Sequence, residues 1–319
     1  MSHQISSMAY AGEKPWHGLG NLLTRKQPIE VWEKQAGMNF HIWESPVRFA
    51  AEGAVTPGGI KVYPEQKVLY RSDTKAPLSV VSNRYQVVQP REILEFYRDL
   101  TEVSGFELET AGVLKEGRKL WALARTNQTA TLKGNDTVHG YLLLATACDG
   151  TLATTAQFTS IRVVCANTLA VALAGSGNAV KVPHSTQFDA QAVKKQLGIS
   201  VSSWDAFMYR MKALSERKVK SQEAEAYFLR VFTDQQTVTE GMQNERAMRR
   251  ALALYEGSGR GSTLSAAKGT AFGMLNAVTE FVDHERRAKS VEHRLDSAWF
   301  GQGAALKQKA LDQALVMAA

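Results

Sequence analysis

Lys119-Leu120-Trp121-Ala122-Leu123-Ala124-Arg125-Thr126, then Thr137 through Cys148, then Asp149-Gly150, then Leu152 through Val164: this stretch decides the fold. In its first run Leu120, Ala122 and Ala124 fall on one side of an extended chain, and Trp121, Leu123 and Arg125 on the other. Phe106 to Leu114 alternates in the same way and ends at the turn Lys115-Glu116-Gly117-Arg118. Asp-Gly between two apolar runs signals a hairpin at 149–150. Just upstream, Pro90 occupies the favoured first turn of a helix that runs to about Val103. Its positions Ile93, Leu94, Phe96, Tyr97 and Leu100 repeat with a helical period. A second helix is expected from near Cys165 to about Leu173. The order is therefore α-β-β-β-β-α, an antiparallel meander with a helix at each end.

Outward from this core, residues 1–30 are rich in turn formers, with Gly12-Glu13-Lys14-Pro15-Trp16-His17-Gly18-Leu19-Gly20 at their centre. A short helix is expected over Ile29–Ala36. Strands are expected at Phe40–Trp43, Val47–Phe49, Lys67–Arg71 and Leu78–Val81. Gly175-Ser176-Gly177-Asn178 ends the second flanking helix, and Pro183 marks a linker. From Ser185 onward strand signals nearly vanish. Helices are expected over 189–197, 201–217, 221–232, 239–256, 262–289 and 303–317. The fold class is α+β: an antiparallel β-meander with flanking helices, followed by a mainly helical C-terminal part. The expected division is a mixed α+β domain over 1–185 and a helical part over 186–319 packed on it.

The 319 residues are 44% apolar and 22% charged, as in ordinary globular chains. No run of eighteen apolar residues is present to span a membrane. The first residues lack the basic and apolar regions of a signal peptide. The expected location is the cytoplasm of a bacterial host cell, with Cys148 and Cys165 buried and reduced. The formal charge of +7 suits a polyanionic partner. It is spread evenly: 19 Lys and Arg face 16 Asp and Glu up to residue 185, and 19 face 15 beyond it.

Several polar features stand inside apolar runs. Arg162 lies between Ile161 and Val163, so alternation turns it away from both. If its face is covered, the guanidinium needs a carboxylate, backbone carbonyls or a phosphate. Asn167, at the expected helix start, could cap that helix or bond a ligand. Three readings stay open: a buried arginine pinning the helix, an anion site at the helix N-terminus, or a nucleophilic Cys165. Gly257-Ser258-Gly259-Arg260-Gly261-Ser262-Thr263 resembles a phosphate loop, but lacks the Gly-Lys-Ser/Thr ending and follows a helix. Gly269 and Gly273 lie four residues apart in an expected core helix carrying Phe272, Leu275, Val278, Phe281 and Val282. His284 and His293 lack metal-site spacing, and no metal is expected. Lys115, Arg118, Lys119, Arg125 and Lys133 lie in or beside the meander, with Trp121 and Tyr141 as interleaved aromatics. That combination suits single-stranded nucleic acid, through phosphate neutralisation and base stacking.

Five separated motifs carry a family resemblance. They are Pro15-Trp16-His17-Gly18-Leu19-Gly20; Val80-Val81-Ser82-Asn83-Arg84-Tyr85; Arg162-Val163-Val164-Cys165-Ala166-Asn167-Thr168-Leu169; Gly269-Thr270-Ala271-Phe272-Gly273 with Asn276-Ala277-Val278-Thr279; and Trp299-Phe300-Gly301 followed by Lys307. Together they resemble the phage/plasmid-like protein family, within domain-of-unknown-function family nine hundred and thirty-two. The resemblance implies a protein carried on mobile elements and supplies no catalytic residue. A looser resemblance, in element order over about residues 90–175, is to the Rad-fifty-two-type single-strand annealing proteins. It implies a homo-oligomer, such as a ring, holding single-stranded DNA in a basic groove.

The expected function is single-stranded DNA binding or annealing in recombination, without catalysis, cofactor or membrane. Arg118, Lys119, Arg125 and Lys133 would contact the nucleic acid, with Arg162 and Asn167 fixing its backbone. The rival from another class is an interaction protein that blocks a host defence factor without binding DNA. A third is a hydrolase using Cys165, His17 or His139.

Overall fold

The computed structural model describes residues 5–12, 19–50, 59–102, 104–162, 164, 167–170, 179–197, 201–233 and 238–318. The chain is α+β, with mostly antiparallel strands in its first and central parts and helices toward the C-terminus. It forms two compact units that alternate along the sequence. The first comprises residues 1–126, 142–157 and 179–198; the second comprises 127–141, 158–178 and 199–319. After the strand Val180–Val182 every named element is helical.

Eleven strands are named among the described residues: β1 Ile5–Ala11, β2 Asn21–Leu23, β3 Ile42–Ala50, β4 Ile60–Arg71, β5 Pro77–Ser82, β6 Glu107–Leu114, β7 Lys119–Leu132, β8 Asp136–Ala147, β9 Thr154–Arg162, β10 Asn167–Ala170 and β11 Val180–Val182. The larger sheet has the order β10-β9-β8-β7-β6-β1-β2, with β11 also on β9; the smaller is β3-β4-β5. The division between units runs through β7, β8 and β9. The meander β6-β7-β8-β9 is thus present as expected. The turn at Lys115–Gly117 holds Lys115 and Glu116 at positive φ.

The first unit also holds the helices α1 Ile29–Gln35, α2 Pro90–Glu95, α3 Arg98–Glu102 and α4 Ala190–Leu197. The single helix expected over 90–103 is two, broken at Phe96-Tyr97. Both rings are fully buried there, and the Tyr97 hydroxyl donates to the carbonyls of Ala122 and Leu142 at 2.8 and 2.9 Å. That anchors the break on the sheet. The start of β7 is covered on both faces: Lys119 through Ala124 are all buried. Residues 1–30 are not all loop. Part of them forms β1, antiparallel to β6 and parallel to β2. Such short pieces carry little periodicity of their own.

The second unit is built around α8, Ala271–Glu280, in which all ten residues are buried. Around it pack α5 Val201–Glu216, α7 Val238–Ala253, α10 Gln302–Ala318 and β10; α6 Ser221–Phe232 and α9 Val291–Phe300 complete the set. The expected helix over 262–289 is shorter. Residues 259–270 make turns, α8 starts at Ala271, and a π-turn follows at Phe281–Glu285. Thr270 caps α8: its Oγ1 accepts the Gly273 N–H at 3.1 Å and donates to the Ala266 carbonyl at 2.7 Å. A Cβ on Gly273 would lie 2.0 Å from the Ala267 carbonyl oxygen, so only glycine fits this cap. The Gly-Thr-Ala-Phe-Gly motif is therefore a helix start rather than a helix interior.

The helix expected from Cys165 is overturned where it is described: Asn167–Ala170 is strand β10, antiparallel to β9, with Asn167 opposite Arg162. Cys165, Ala166 and 171–173 lie outside the described residues. Among the described residues, no helix is long and apolar enough to cross a membrane.

Candidate nucleic-acid interface

Arg162 is the centre of a built arrangement in the second unit. It ends β9, where strand pairing turns its side chain inward. Its Nε lies 2.8 and 3.0 Å from the Asp136 carboxylate oxygens, and one Nη lies 2.5 Å away. The two side chains are 4% and 0% exposed. Burial makes this partner obligatory, because a lone guanidinium out of water is costly. The same Nη donates to the Gly261 carbonyl at 2.9 Å, and the other to the Arg260 carbonyl at 3.5 Å. The guanidinium carbon lies 5.4 Å from the centroid of the Phe272 ring.

These bonds tie two surface segments together. Asp136 opens β8, directly after the turn Lys133-Gly134-Asn135. Arg260 and its neighbours Gly259 and Gly261 belong to the glycine-rich loop 257–263. A Cβ on Gly134 would lie 3.0 Å from Ser265 Cβ, so the turn abuts the end of that loop. Lys133 and Arg260 are both exposed on this rim. Neither makes an ion pair among the described residues.

The loop does not present an open phosphate nest. Both Glu280 carboxylate oxygens accept the Arg260 N–H, at 3.0 Å each. Burial is the first cause holding this carboxyl above its ordinary range. Other loop amides close internal turns, from Gly259 to the Leu254 carbonyl and from Ser262 to the Gly259 carbonyl.

A second buried pair lies beside β10. Lys307 Nζ donates to Asp283 Oδ1 at 2.8 Å and to Thr168 Oγ1 at 2.7 Å. Asp283 Oδ2 accepts the Thr168 N–H at 2.7 Å. Lys307 and Asp283 are each 6% exposed at the side chain. Sequence reasoning missed Asp283. Its one signal is a carboxylate placed directly after the apolar run Phe281-Val282.

The other expected contacts are distributed between the units. Arg118 is exposed, at the turn into β7 in the first unit. Lys119 is 5% exposed, and Arg125 is half-buried. Lys119 is thus withdrawn from the surface a phosphate reaches. Trp121 and Tyr141 are 2% and 3% exposed and offer no stacking surface. Trp121 fills the space over Gly112, where a Cβ would lie 2.3 Å from its ring. Asn167 is in β10, as above. His139 Nδ1 lies 2.9 Å from Thr129 Oγ1. His17 and Cys165 lie outside the described residues. Burial pushes the Cys148 thiol up to about 12. Among the described residues, no three His, Cys, Asp or Glu side chains are placed to hold a metal ion.

No curated protein and no solved structure matches the chain. A family model, described as a domain of unknown function, DUF932, matches residues 77–299. That span contains the Arg162–Asp136 pair, the glycine-rich loop, Thr270 and Asp283, so most of the buried polar framework of the second unit lies inside it. This chain belongs to the DUF932 family.

Proposed function

We propose that this protein binds nucleic acid without catalysing a reaction, as a single-strand binding or annealing factor of a mobile element that works as a homo-oligomer. The observation that carries the reading is the rim in the second unit. Arg162 and Asp136 clamp the β7–β8 turn to the glycine-rich loop, and this holds Lys133 and Arg260 exposed. Cations fixed on short turns suit phosphate contacts, because less side-chain and backbone freedom is lost on binding. Arg162 and Asp136 act as positioning residues in this reading, and Arg118 adds a cation on the first unit. The net charge of +7 acts in the same direction.

The test is a salt titration of binding to a labelled single-stranded oligonucleotide. Each lost phosphate contact lowers the log–log salt slope by about 0.7 for single strands. Lys133→Ala/Arg260→Ala should therefore lower it by about 1.4 and weaken binding. Lys119→Ala should leave the slope unchanged. A wild-type protein that fails to bind at low salt, or a double variant with an unaltered slope, removes the reading. The first of these outcomes turns attention to a host-protein partner.

A further inference from the structure

The open side of the β3-β4-β5 sheet is aromatic. Register places Trp43 opposite Tyr70, Val47 opposite Tyr63 and Phe49 opposite Lys61. Cross-strand partners share a face, and alternate residues along a strand lie on it together. These residues therefore form one surface, which Val80 of β5 extends. At the end of the sheet near Trp43 the opposite face takes Ile42, Leu69 and Val81, all buried, whereas in the arm that carries Phe49 and Tyr63 its residues Ile60 and Val62 are exposed as well. On the open face Trp43, Phe49 and Tyr63 are 45%, 47% and 40% exposed. Contiguous exposed apolar area of this kind marks an interaction surface.

Its composition selects the partner. Lys61 lies within the face, and Lys75 Nζ sits 4.0 Å from the centroid of the Trp43 ring. Glu65, in the irregular part of β4, accepts the Tyr63 hydroxyl at 3.2 Å. At the β3 edge a second copy adding a strand is opposed by Pro46; β4 is the central strand and β5 forms the other edge. Pro46 removes a donor midway along β3. The residues Pro64-Glu65-Gln66 of β4 have no partners in β3, because pairing jumps from Pro46–Lys67 to Val47–Tyr63. Proline and bulges block edge-to-edge pairing. Rings with cations beside them are what unpaired bases and their phosphates require. Duplex bases hide their faces in the stack and leave such rings unused.

We propose that this face is a base-stacking platform for single-stranded nucleic acid, with Phe49 and Tyr63 stacking bases, Lys61 meeting a phosphate, and Trp43 holding Lys75 beside them. The proposal rests on the nucleic-acid reading above and adds to it a surface that takes the unpaired bases. β3 and β4 precede the family-matched segment, and β5 opens it.

The experiment compares the full chain, Phe49→Ala/Tyr63→Ala, Phe49→Leu/Tyr63→Leu, Tyr63→Phe and Lys61→Ala. Anisotropy is read with labelled oligothymidylate and with a duplex of equal length. Oligomer mass and circular dichroism are recorded on the same samples. Losing two stacks should weaken single-strand binding by about 30-fold or more, with the salt slope unchanged. The leucine pair keeps the apolar area and should lose as much, while Tyr63→Phe should stay near wild type. Lys61→Ala should lower the slope by about 0.7. If the wild type binds single strands and both double variants bind within twofold of it, the platform is refuted while the nucleic-acid reading stands. If the wild type binds neither probe, both fall. Unchanged affinity with a smaller oligomer would assign the face to a second copy instead.

Discussion

Replacing Arg162 with Met isolates the buried pair at the heart of the second unit. The substitution removes the counter-charge of Asp136, whose side chain is 0% exposed. It also removes the donor to the Gly261 carbonyl. Breaking a buried pair by deleting one partner costs about 3–5 kcal/mol, because the remaining charge is stranded. The lost bond to Gly261 adds about 1 kcal/mol. The single variant should therefore lose about 4–6 kcal/mol, a fall in melting temperature of about 6–9 °C for a chain of this length. Asp136→Leu strands the guanidinium and should cost a similar amount. Arg162→Met/Asp136→Leu removes both charges, and exchange of a buried pair for apolar groups is often neutral or better. The double variant should thus recover much of the loss, with a coupling energy of about 3 kcal/mol. Urea unfolding of the four proteins, followed by tryptophan fluorescence, closes the cycle. A double variant as unstable as the sum of the two singles would refute the argument. So would a single variant within about 1 kcal/mol of wild type, since that is the range of an exposed pair.

Three further outcomes follow from the described geometry. Gly273→Ala should destabilise the protein by about 1–3 kcal/mol, as overpacking against the Ala267 carbonyl demands; thermal melts check this, and an unchanged midpoint contradicts the cap. Glu280 is an acid held above its ordinary 4.5, so the fold favours its protonated form and loses stability as pH rises through the folded value. Glu280→Gln should then gain on the wild type as pH rises from about 4 to 8, read from urea midpoints, and a gap that stays flat or narrows counts against the buried carboxylate. In a Cys165→Ser background, Cys148 should resist a thiol reagent at about pH 8 until urea unfolds the chain, because the thiolate is the reactive form; rapid labelling of the folded protein would show the burial to be wrong.

The meander was legible because β6 to β9 combine alternation with turn residues, and Asp149-Gly150 marks one hairpin without ambiguity. Helices α4, α5, α6 and α10 were legible from their apolar stripes. β10 was not. Four residues are too few to show a period, and Val163-Val164-Cys165-Ala166 reads equally well as the approach to a helix. The start of α8 was misplaced for a related reason: Gly269 and Gly273 look like helix spacing until the Thr270 cap is seen between them. At the site, Arg162 announced its need for a partner by standing in an apolar run. Its partner Asp136 is 26 residues away at the start of β8, one position before the expected strand, with no pattern linking the two. Lys119 and Trp121 misled because alternation names two faces without saying that both are covered.

The alternation of the two units along the chain reaches into synthesis and inheritance. A nascent chain cannot finish the first unit until residue 198 has emerged, by which time two segments of the second, 127–141 and 158–178, are already outside the ribosome and waiting for 199–319. No single cut releases either body intact, so a gene fragment ending near residue 185 would encode neither. Any cut between residues 126 and 199 therefore divides one body or both.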